Sequence, residues 1–506
     1  MALEDIRSER IKKLEKLRQN NLNPYPARTR RTHLIGEVLK KFGTFAKLKK
    51  KISVAGRVVA RREHGGSTFL DLRDVSGTIQ LYFKKDVLGE AYDSFLGTVD
   101  VGDFLEAEGK CFKTKRGEGT IEVTHWAMLA KSLRPLPEKW HGLQDVEERF
   151  RKRYLDLLAN DAVRANFVLR SRIIKSLRDF LEKSGFLEVE TPMLHPIPGG
   201  ALAKPFKTRH NALDTDFYLR IAPELYLKRL LVGGFERVYE MGKIFRNEGI
   251  DATHNPEFTM AELYAAYWDE EDMMNFVEGV FLNFAKAFGK KGETEYQGKK
   301  IKFKKPFLRV TFRDLLSRYA QITDYEGTSR DALATRARQL GIEISSAEPK
   351  DKIADEIYKK ICRPYLIQPT FVINHPRDIS PLAKSRDENP QEARRLQLVA
   401  AGMELANGFS ELNDPLEQRK RFGEQEKIRG GGESPRLESG RASPGTGGGD
   451  EEAHRMDEDY LEALEYGMPP AAGLGVGVDR VVILFTDTKN VREVMLFPTM
   501  RIRKEN

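Results

Sequence analysis

The stretch from Phe235 to Tyr264 gathers the side-chain types that build a polar binding site. Two runs of β-favouring residues, 236–247 and 257–264, flank a connection rich in Asp, Asn, His and Pro, so we predict a β-hairpin. Strand alternation puts an aromatic ring, a carboxylate and a phenol on one face of the second run, in the order Phe258, Met260, Glu262 and Tyr264. Further polar side chains precede them: Arg246, Glu248 and His254. These residues fit a pocket for a polar ligand and, equally, a solvated hairpin with an Arg–Glu ion pair.

A second stretch, close to the C-terminus, places three glycines at alternate positions of a predicted strand: Gly473, Gly475 and Gly477. They leave one strand face bare, so a flat group can lie against the backbone there. Asp479 and Arg480 then begin a predicted helix, which sets a guanidinium beside the bare face. The pattern is neither GxGxxG nor a P-loop. A glycine-rich strand packed under a helix is the simpler interpretation in isolation, but the distant hairpin favours a ligand site.

Length and composition limit the class of protein. A chain of 506 residues predicts two to four domains, and 40% hydrophobic with 32% charged residues is typical of a globular protein. No run of about 18 apolar residues exists, and the N-terminus lacks the apolar segment of a signal peptide. The two cysteines, Cys111 and Cys362, suit a reducing compartment and exclude a multi-cysteine metal site. We therefore expect a cytoplasmic protein with no membrane segment.

Positive charge is concentrated at the N-terminal end. Residues 1–51 contain 15 Lys and Arg against 5 Asp and Glu, whereas the whole chain has a net charge of +9. We predict a basic helical segment here, with one helix over 5–20 and a second over about 34–50. A basic end on a near-neutral body indicates contact with a polyanion such as nucleic acid, and a solubilising helix is the alternative.

The next segment, 52–132, predicts a small β-barrel. It contains about five short alternating runs separated by Gly or Asp, which suits an OB-fold. We expect Arg57, Phe69 and Gln80 to be exposed, where they would supply a phosphate or base contact, a stacking ring and an amide for base edges. A single Phe in such a strand is more often part of the core.

Beyond a linker over 133–146, residues 147–506 predict one α+β domain. Residues 147–183 are helical in pattern, in two runs; Gly185 ends the second helix, and a strand follows up to Pro192. One helix face is apolar and can form a dimer seam or a core: Ile173, Ile174, Leu177 and Leu181. Within this domain we expect a peripheral subdomain at 290–370. A flexible insert is predicted at 429–450, where eight of 22 residues are glycine.

Three separated motifs occur in an order that resembles a known family. The helix and strand before Pro192, the string Phe245-Arg246-Asn247-Glu248 and the string from Gly473 to Arg480 resemble motifs 1, 2 and 3 of class II aminoacyl-tRNA synthetases. The strings IAPELYLKRLLVGGFERVYE, FRNEGIDATHNPEFTMAELY, NGFSELNDP and ALEYGMPPAAGLGVGVDR are similar to bacterial lysyl-tRNA synthetases, and the resemblance spans nearly the whole chain except 429–450. It implies an OB-fold anticodon-binding domain followed by a catalytic domain on an antiparallel sheet flanked by helices.

The resemblance also implies site roles, a homodimer whose seam includes the element before Pro192, and the partners ATP, L-lysine, Mg²⁺ and tRNA(Lys). ATP would contact Arg246, Glu248, His254, Asn255, Phe258, Glu404, Gly477 and Arg480, of which Arg246, Arg480, Glu248 and His254 would be catalytic. Lysine would contact Gly200, Glu224, Glu262, Tyr264, Asn407, Phe409 and Glu411. Mg²⁺ would bind Glu404 and Gln397. The anticodon would contact Arg57, Phe69, Gln80 and Glu118.

Adenylate formation agrees chemically with such a site. An ionised carboxylate attacks phosphorus in line, so no protein nucleophile or base is needed, and fixed cations offset the charge that develops on the phosphate. Carboxylates deep in the pocket would select lysine, because an uncharged analogue would leave a buried anion unpaired.

The chain departs from the family at three positions. This chain has Gln397 where the family usually has a metal-binding Glu. It has Met403 where the family usually has an Arg, and Arg209 where the family often has a His. The carbonyl of Gln397 could still coordinate Mg²⁺ with one charge fewer. Two alternatives to a lysine–tRNA ligase therefore stay open: an enzyme that attaches lysine to a protein, which would not need the barrel, and a tRNA-binding or regulatory protein with an impaired catalytic centre.

Overall fold

The computed structural model describes residues 3–136, 145–345, 348–430 and 455–503. The chain divides into two compact units, Met1–Gln144 and Asp145–Asn506. The predicted linker, 133–146, lies mostly outside the described residues. So does the predicted insert, 429–450, of which only the helical backbone of residues 429 and 430 is described.

The first unit is a closed five-stranded barrel with helices around it. Its strands, in the order β1-β2-β3-β5-β4, are β1 (Lys51–His64), β2 (Ser67–Arg73), β3 (Thr78–Lys84), β4 (Phe104–Lys113) and β5 (Gly119–Ala130). Its helices are α1 (Leu3–Gln19), α2 (Ile35–Lys40), α3 (Phe42–Leu48), α4 (Lys85–Leu88) and α5 (Glu90–Thr98). Alternate residues of β2, such as Leu70 and Leu72, point into the barrel, which confirms the predicted OB-type barrel.

The single basic helix predicted over 34–50 is wrong. It is two short helices, α2 and α3, because the backbone at Lys41 leaves helical geometry (φ −108°, ψ 20°). The break lets Ile35 and Val38 of one helix and Phe45 of the other all enter the barrel core.

The second unit is built on an eight-stranded, mainly antiparallel sheet in the order β14-β15-β16-β17-β18-β11-β10-β6. These strands are β6 (Leu187–Glu188), β10 (Arg237–Phe245), β11 (Glu257–Ala266), β14 (Leu308–Thr311), β15 (Thr370–Ile373), β16 (Arg395–Ala400), β17 (Met403–Ser410) and β18 (Ala471–Gly477). Smaller sheets are formed by β7 (Leu194–His195), β8 (Lys207–His210) and β9 (Thr215–Leu219), and by β12 (Glu293–Tyr296) and β13 (Lys299–Lys302). The predicted hairpin of 236–264 is confirmed as β10 and β11, which lie between β18 and the edge strand β6 of the main sheet.

Helices cover this sheet. They are α6 (Val146–Arg151), α7 (Arg153–Ala159), α8 (Asp161–Lys183), α9 (Glu224–Val232), α10 (Glu270–Phe288), α11 (Phe312–Ala320), α12 (Arg330–Gln339), α13 (Lys350–Ile357), α14 (Pro415–Gly430), α15 (Glu458–Glu465) and α16 (Val478–Thr486). None of the helices in the described parts of the chain combines the length and apolarity that a membrane span needs.

The main core lies between one sheet face and helices α8, α10 and α16. From α8 it takes Ile173, Leu177 and Leu181, each at most 1% exposed. These side chains are therefore core residues, and the dimer-seam interpretation of that apolar face is wrong for them. Capping favours α10, where the Asp269 carboxylate accepts from the backbone N–H groups of Glu271 and Asp272.

Two other sequence predictions need correction in this unit. The helical stretch 147–183 is three helices, because the backbone leaves helical geometry at Lys152 and Asn160. The segment 290–370 is only partly peripheral: α11, α12 and α13 share a separate core cluster, but β14 and β15 belong to the main sheet. Gly185, at φ +81°, ends α8 as predicted, and its N–H donates to the carbonyl of Glu182 (3.0 Å).

Candidate active site

The strand register brings the two chemically interesting stretches together. On one sheet face Glu262 of β11 lies opposite Gly475 of β18, and Asn407 of β17 lies opposite the same glycine from the other side. The opposite face carries Ala261 and Leu263 into the main core. The hairpin, the glycine strand and β17 therefore form one continuous wall, which excludes the solvated-hairpin interpretation.

That wall lines a cavity of about 1060 Å³. It contains every site residue predicted for the second unit: Gly200, Glu224, Arg246, Glu248, His254, Asn255, Phe258, Glu262, Tyr264, Gln397, Glu404, Asn407, Phe409, Glu411, Gly477 and Arg480. The roles assigned to these residues stay predictions, but their convergence on one space is an observation.

The three glycines of β18 form the floor of the cavity, and the structure gives a different reason for the missing side chain at Gly473 than at Gly475 and Gly477. A Cβ on Gly473 would lie 2.1 Å from Glu411 Oε1 and 2.4 Å from Tyr264 Cε1, so the protein's own packing requires glycine there. A Cβ on Gly475 would have no heavy atom closer than 3.5 Å, and one on Gly477 none closer than 3.8 Å. Packing does not explain the last two glycines, so the space above them is available for a ligand.

Two arginines mark one end of the cavity. The Arg246 guanidinium lies 5.2 Å from the centre of the Phe258 ring, and its Nε donates to the Ile221 carbonyl at 3.3 Å. Arg480 Nη1 donates to the Glu404 carbonyl at 3.1 Å. Burial lowers the pKa of Arg246, while nearby carboxylates oppose that effect, and arginine stays charged. This end suits an anionic group.

Asp479, the residue before Arg480, fixes where α16 begins. Its carboxylate accepts from the backbone N–H of Thr259 (2.8 Å) and forms an ion pair with Arg170 of α8. Arg170 also donates to the Thr259 hydroxyl at 3.0 Å. The helix start is thus tied to both β11 and α8, which places Arg480 over the cavity.

The loop between β10 and β11 carries polar groups at the arginine end. Asp251 accepts from the backbone N–H groups of Thr253 and His254, and its pKa falls to about 2 because these hydrogen bonds and His254 outweigh its burial. His254 Nε2 lies 3.4 Å from Arg480 Nη2. Asn255 Nδ2 donates to the Glu257 carbonyl at 2.6 Å, whereas Glu248 is exposed.

The other end of the cavity holds three buried carboxylates. Glu224 and Glu411 both form ion pairs with the fully buried Lys228, at 2.6 Å for Glu224. Glu262 instead accepts a hydrogen bond from the Tyr264 hydroxyl at 3.1 Å. Lys228 therefore neutralises only part of the acidic cluster, which leaves room for one further cation.

Burial dominates the electrostatics of this acidic pocket. Burial, reinforced by Glu224, raises the pKa of Glu262 to about 8 although Tyr264, Arg246 and Arg220 oppose it. Burial also raises the pKa of Glu411, against the effect of Lys228. A cation bound beside these carboxylates would lower their pKa values again.

Backbone geometry at Gly200 and a hydrogen bond from Arg395 position the middle of the site. Gly200 has φ +87°, and a Cβ there would lie 2.9 Å from Glu224 Cβ. Arg395 Nε donates to Asn407 Oδ1 at 2.9 Å, so the Asn407 amide nitrogen is left for the cavity. Phe409 lies beside the pocket, with its ring centre 5.3 Å from Lys228 Nζ.

A β-bulge brings Glu404 onto the same wall as Asn407. Leu398 pairs with Ala406, but the next residue, Val399, pairs with Glu404, so β17 has one extra residue here. Without it, residues 404 and 407 would point to opposite faces.

The expected metal contact of Gln397 does not fit this structure. Its carbonyl oxygen accepts from the Tyr358 hydroxyl, and its amide nitrogen donates to Glu404 Oε2 at 3.0 Å. The reversed amide would face the Glu404 oxygen with a second acceptor, so the network fixes this orientation. Within the described ranges, no three His, Cys, Asp or Glu side chains form a metal-binding group. Of the two predicted metal contacts, Glu404 is the one that offers a carboxylate.

The four residues predicted to contact an anticodon lie in the barrel. Gln80 is buried rather than exposed: it donates to Glu118 Oε2 (2.9 Å) and accepts from the Thr120 hydroxyl (2.8 Å). Phe69 stacks on Tyr82 with ring centres 4.7 Å apart. Half-buried Arg57 donates to the Gly102 carbonyl at 2.9 Å.

The sequence analysis missed Arg363 and Arg395, which line the cavity, and Lys228, which lies behind it and pairs with Glu224 and Glu411. The spacing of Glu224 and Lys228, four residues apart on a helix, was the one available signal for Lys228. The two arginines lie in segments without a recognisable motif.

The comparisons with known proteins agree with this architecture. Residues 145–501 match the family described as "tRNA synthetases class II (D, K and N)", and residues 52–129 match "OB-fold nucleic acid binding domain". The chain therefore has the domains of a class II aminoacyl-tRNA synthetase.

Full-length relatives narrow the family further. The chain is 48% identical over 503 residues to the lysine–tRNA ligase of Carboxydothermus hydrogenoformans, which covers 99% of both chains. It is 46% identical to that of Moorella thermoacetica (100% and 99%) and 48% identical to that of Roseiflexus sp. strain RS-1 (99% and 100%). The chain belongs to the lysine–tRNA ligase family.

Proposed function

We propose that this protein is an ATP-dependent lysine–tRNA ligase, which forms lysyl-adenylate and transfers lysine to the 3′ end of tRNA(Lys). One observation carries the proposal: a single cavity has two guanidinium groups at one end and a partly neutralised carboxylate cluster at the other. This polarity suits a triphosphate and the side chain of lysine, with their reacting groups between the two ends.

In this proposal the chemistry is electrostatic. The lysine carboxylate attacks the α-phosphorus of ATP, the bond to pyrophosphate breaks, and Arg246 and Arg480 stabilise the charge on the phosphate oxygens. Phe258 stacks on the adenine, whose other face is covered by Arg480. Glu248, His254, Asn255 and Gly477 complete the nucleotide contacts.

The lysine contacts follow from the acidic end. Glu262, Tyr264 and Glu411 hold the ε-ammonium, while Gly200, Glu224, Asn407 and Phe409 surround the amino-acid backbone and stem. Mg²⁺ bound to ATP would supply further charge neutralisation at the phosphates, with Glu404 as its protein carboxylate.

For the tRNA, we propose that Arg57, Phe69, Gln80 and Glu118 mark the anticodon-binding face of the barrel. The paired Gln80 and Glu118 side chains would present a fixed donor and acceptor pattern, and the stack of Phe69 on Tyr82 would offer a ring to a base. If anticodon substitutions in tRNA(Lys) leave the charging rate unchanged, this assignment fails.

We further propose a cytoplasmic homodimer. Apolar side chains are exposed on and around the edge strand β6 and the following β7, namely Leu187 (49%), Met193 (49%) and Leu194 (43%). Burial in a symmetric dimer would remove them from water. Sedimentation of the wild-type chain and of Leu187→Asp tests this: the variant should shift toward monomer.

Lysine-dependent ATP–pyrophosphate exchange tests the function, and Arg246→Ala tests the phosphate end. The variant should lose exchange by at least a hundredfold and keep its tRNA affinity, because the barrel is unchanged. Exchange retained by Arg246→Ala would contradict the assigned role. Charging of tRNA with lysine separates this proposal from a protein-modifying enzyme, and exchange itself separates it from a non-catalytic tRNA-binding protein.

A further inference from the structure

We propose that Arg363 is a third phosphate-binding arginine of this site, positioned to contact the β- and γ-phosphates of ATP and the pyrophosphate product. The inference rests on the proposed ATP-dependent function and assigns a role to a residue outside the recognisable motifs. It is carried by the position of Arg363, by its unused hydrogen-bonding capacity and by the charge balance around Glu404.

Arg363 lines the same cavity as Arg246 and Arg480. It follows a π-helical turn, Tyr358–Cys362, and begins the short 3₁₀ turn that leads to β15. Its Nη1 lies 3.7 Å from Glu404 Oε2, and Arg480 Nη1 lies 3.9 Å from the same oxygen. Arg363 and Arg480 thus flank one carboxylate from two separate elements.

The guanidinium of Arg363 has donors to spare. Its Nε is buried and makes no hydrogen bond, and its Nη1 is too far from Glu404 for a hydrogen bond. Because Arg363 lines the cavity with 23% of its side chain exposed, an acceptor brought by a ligand can reach the outer part of the guanidinium. Phosphate oxygens match the planar fork of arginine.

The Glu404 carboxylate, which lies between Arg363 and Arg480, already accepts a hydrogen bond from another residue. Gln397 donates its amide N–H to the same Glu404 oxygen at 3.0 Å, and the Tyr358 hydroxyl holds the amide in that orientation. Although burial would raise it, Arg480, Arg363 and other nearby cations keep the pKa of Glu404 below its usual value. Glu404 therefore shares its single negative charge between two guanidinium groups.

This arrangement has a consequence for cations. With an amide in place of a second carboxylate, the protein provides fixed positive charge where two acidic ligands would gather divalent metal. Part of the neutralisation of the triphosphate then comes from Arg363 rather than from protein-bound Mg²⁺. ATP should accordingly bind measurably without any divalent cation.

The test compares Arg363→Gln with Arg338→Gln, an identical substitution at an exposed position of α12 outside the cavity. Calorimetry measures binding of ATP and of inorganic pyrophosphate, each in EDTA and in saturating Mg²⁺. Arg363→Gln should weaken both ligands by about tenfold or more, as expected for a lost charge-assisted hydrogen bond. The KM for lysine should change less than about twofold, and Arg338→Gln should match the wild type.

Two further variants guard against a folding defect. Arg363→Lys keeps the charge without the fork and should lie between Arg363→Gln and the wild type. Gln397→Glu places a second carboxylate beside Glu404, so it should weaken ATP binding in EDTA. Added Mg²⁺ should restore the binding, because it offsets the extra negative charge. Wild-type affinity for ATP and pyrophosphate in Arg363→Gln, with its melting temperature unchanged, overturns the proposal. If the wild type shows no lysine-dependent exchange but Arg363→Gln still loses ATP binding, the ligase function is refuted and the phosphate-binding role of Arg363 is upheld.

Discussion

Lysine affinity should increase as the pH rises from 6 to 8, because Glu262 must lose its proton to hold an ammonium group. Burial, reinforced by Glu224, raises the pKa of this carboxyl from 4.5 to about 8. The ε-ammonium of lysine stays charged throughout this range, since its own pKa is about 10.4. The bound cation should lower the pKa of Glu262, so binding should release a proton.

The magnitude follows from the fraction of Glu262 that is ionised. With a pKa of about 8, Glu262 is ionised in roughly 1% of the molecules at pH 6 and in about half of them at pH 8. The affinity for lysine should therefore rise about 50-fold. Glu224 and Glu411 face the same pocket, but the charged Lys228 lies between them and satisfies part of their charge. Glu262 has only the Tyr264 hydroxyl as a hydrogen-bond partner in the described network.

The stability of the protein without lysine should change with pH in the opposite direction to the lysine affinity. A carboxyl whose folded-state pKa is raised binds more protons in the folded state than in the unfolded state between pH 4.5 and 8. The contribution of Glu262 to the free energy of unfolding should therefore fall as the pH rises through this window, and saturating lysine should reverse the trend.

Calorimetric titration of lysine at pH 6, 7 and 8, in buffers with different ionisation enthalpies, measures both the affinity and the protons released. Glu262→Gln is the matched control: it removes the titrating group, keeps the size of the side chain and should flatten most of the pH dependence. A flat wild-type profile without proton release, or an unchanged profile in Glu262→Gln, would refute this reasoning.

Three more predictions concern two glycines of β18 and the buried Lys228. Gly473→Ala should lower the free energy of unfolding by about 1–3 kcal/mol because its methyl group would overlap two side chains. Gly475→Ala should leave the melting temperature nearly unchanged, since no atom lies within 3.5 Å of its Cβ, but reduce lysine-dependent exchange at least tenfold; normal exchange would show that no ligand lies on this floor. Lys228→Met should cost about 3–5 kcal/mol at pH 7, because it leaves buried carboxylates without their cation. Urea unfolding should show a much smaller loss at pH 5, and an equal loss at both pH values would count against the electrostatic explanation.

Period-two alternation was enough to predict the central wall of the site. It placed Phe258, Glu262 and Tyr264 on one face and the glycines of β18 on another, and the register brings those two faces together. The five-stranded barrel followed from the same kind of pattern. In both cases a local rule, the alternation of side chains along a strand, determines the result.

Features that depend on long-range contacts were not predictable in this way. The bulge that turns Glu404 toward the cavity is a mismatch between two strands, and neither sequence alone indicates it. The pairing of Lys228 with Glu411 joins residues far apart in the chain. The orientation of the Gln397 amide depends on Tyr358, which lies in a segment without a motif, so the sequence did not indicate that its carbonyl accepts a hydrogen bond.

The most direct test of the central claim is ATP–pyrophosphate exchange by the purified chain with each of the twenty amino acids in turn. The acidic pocket and the arginine end together predict exchange with lysine, and exchange with uncharged amino acids lower by several orders of magnitude. Absence of lysine-dependent exchange at saturating ATP and Mg²⁺, or comparable exchange with an uncharged amino acid, would contradict the account.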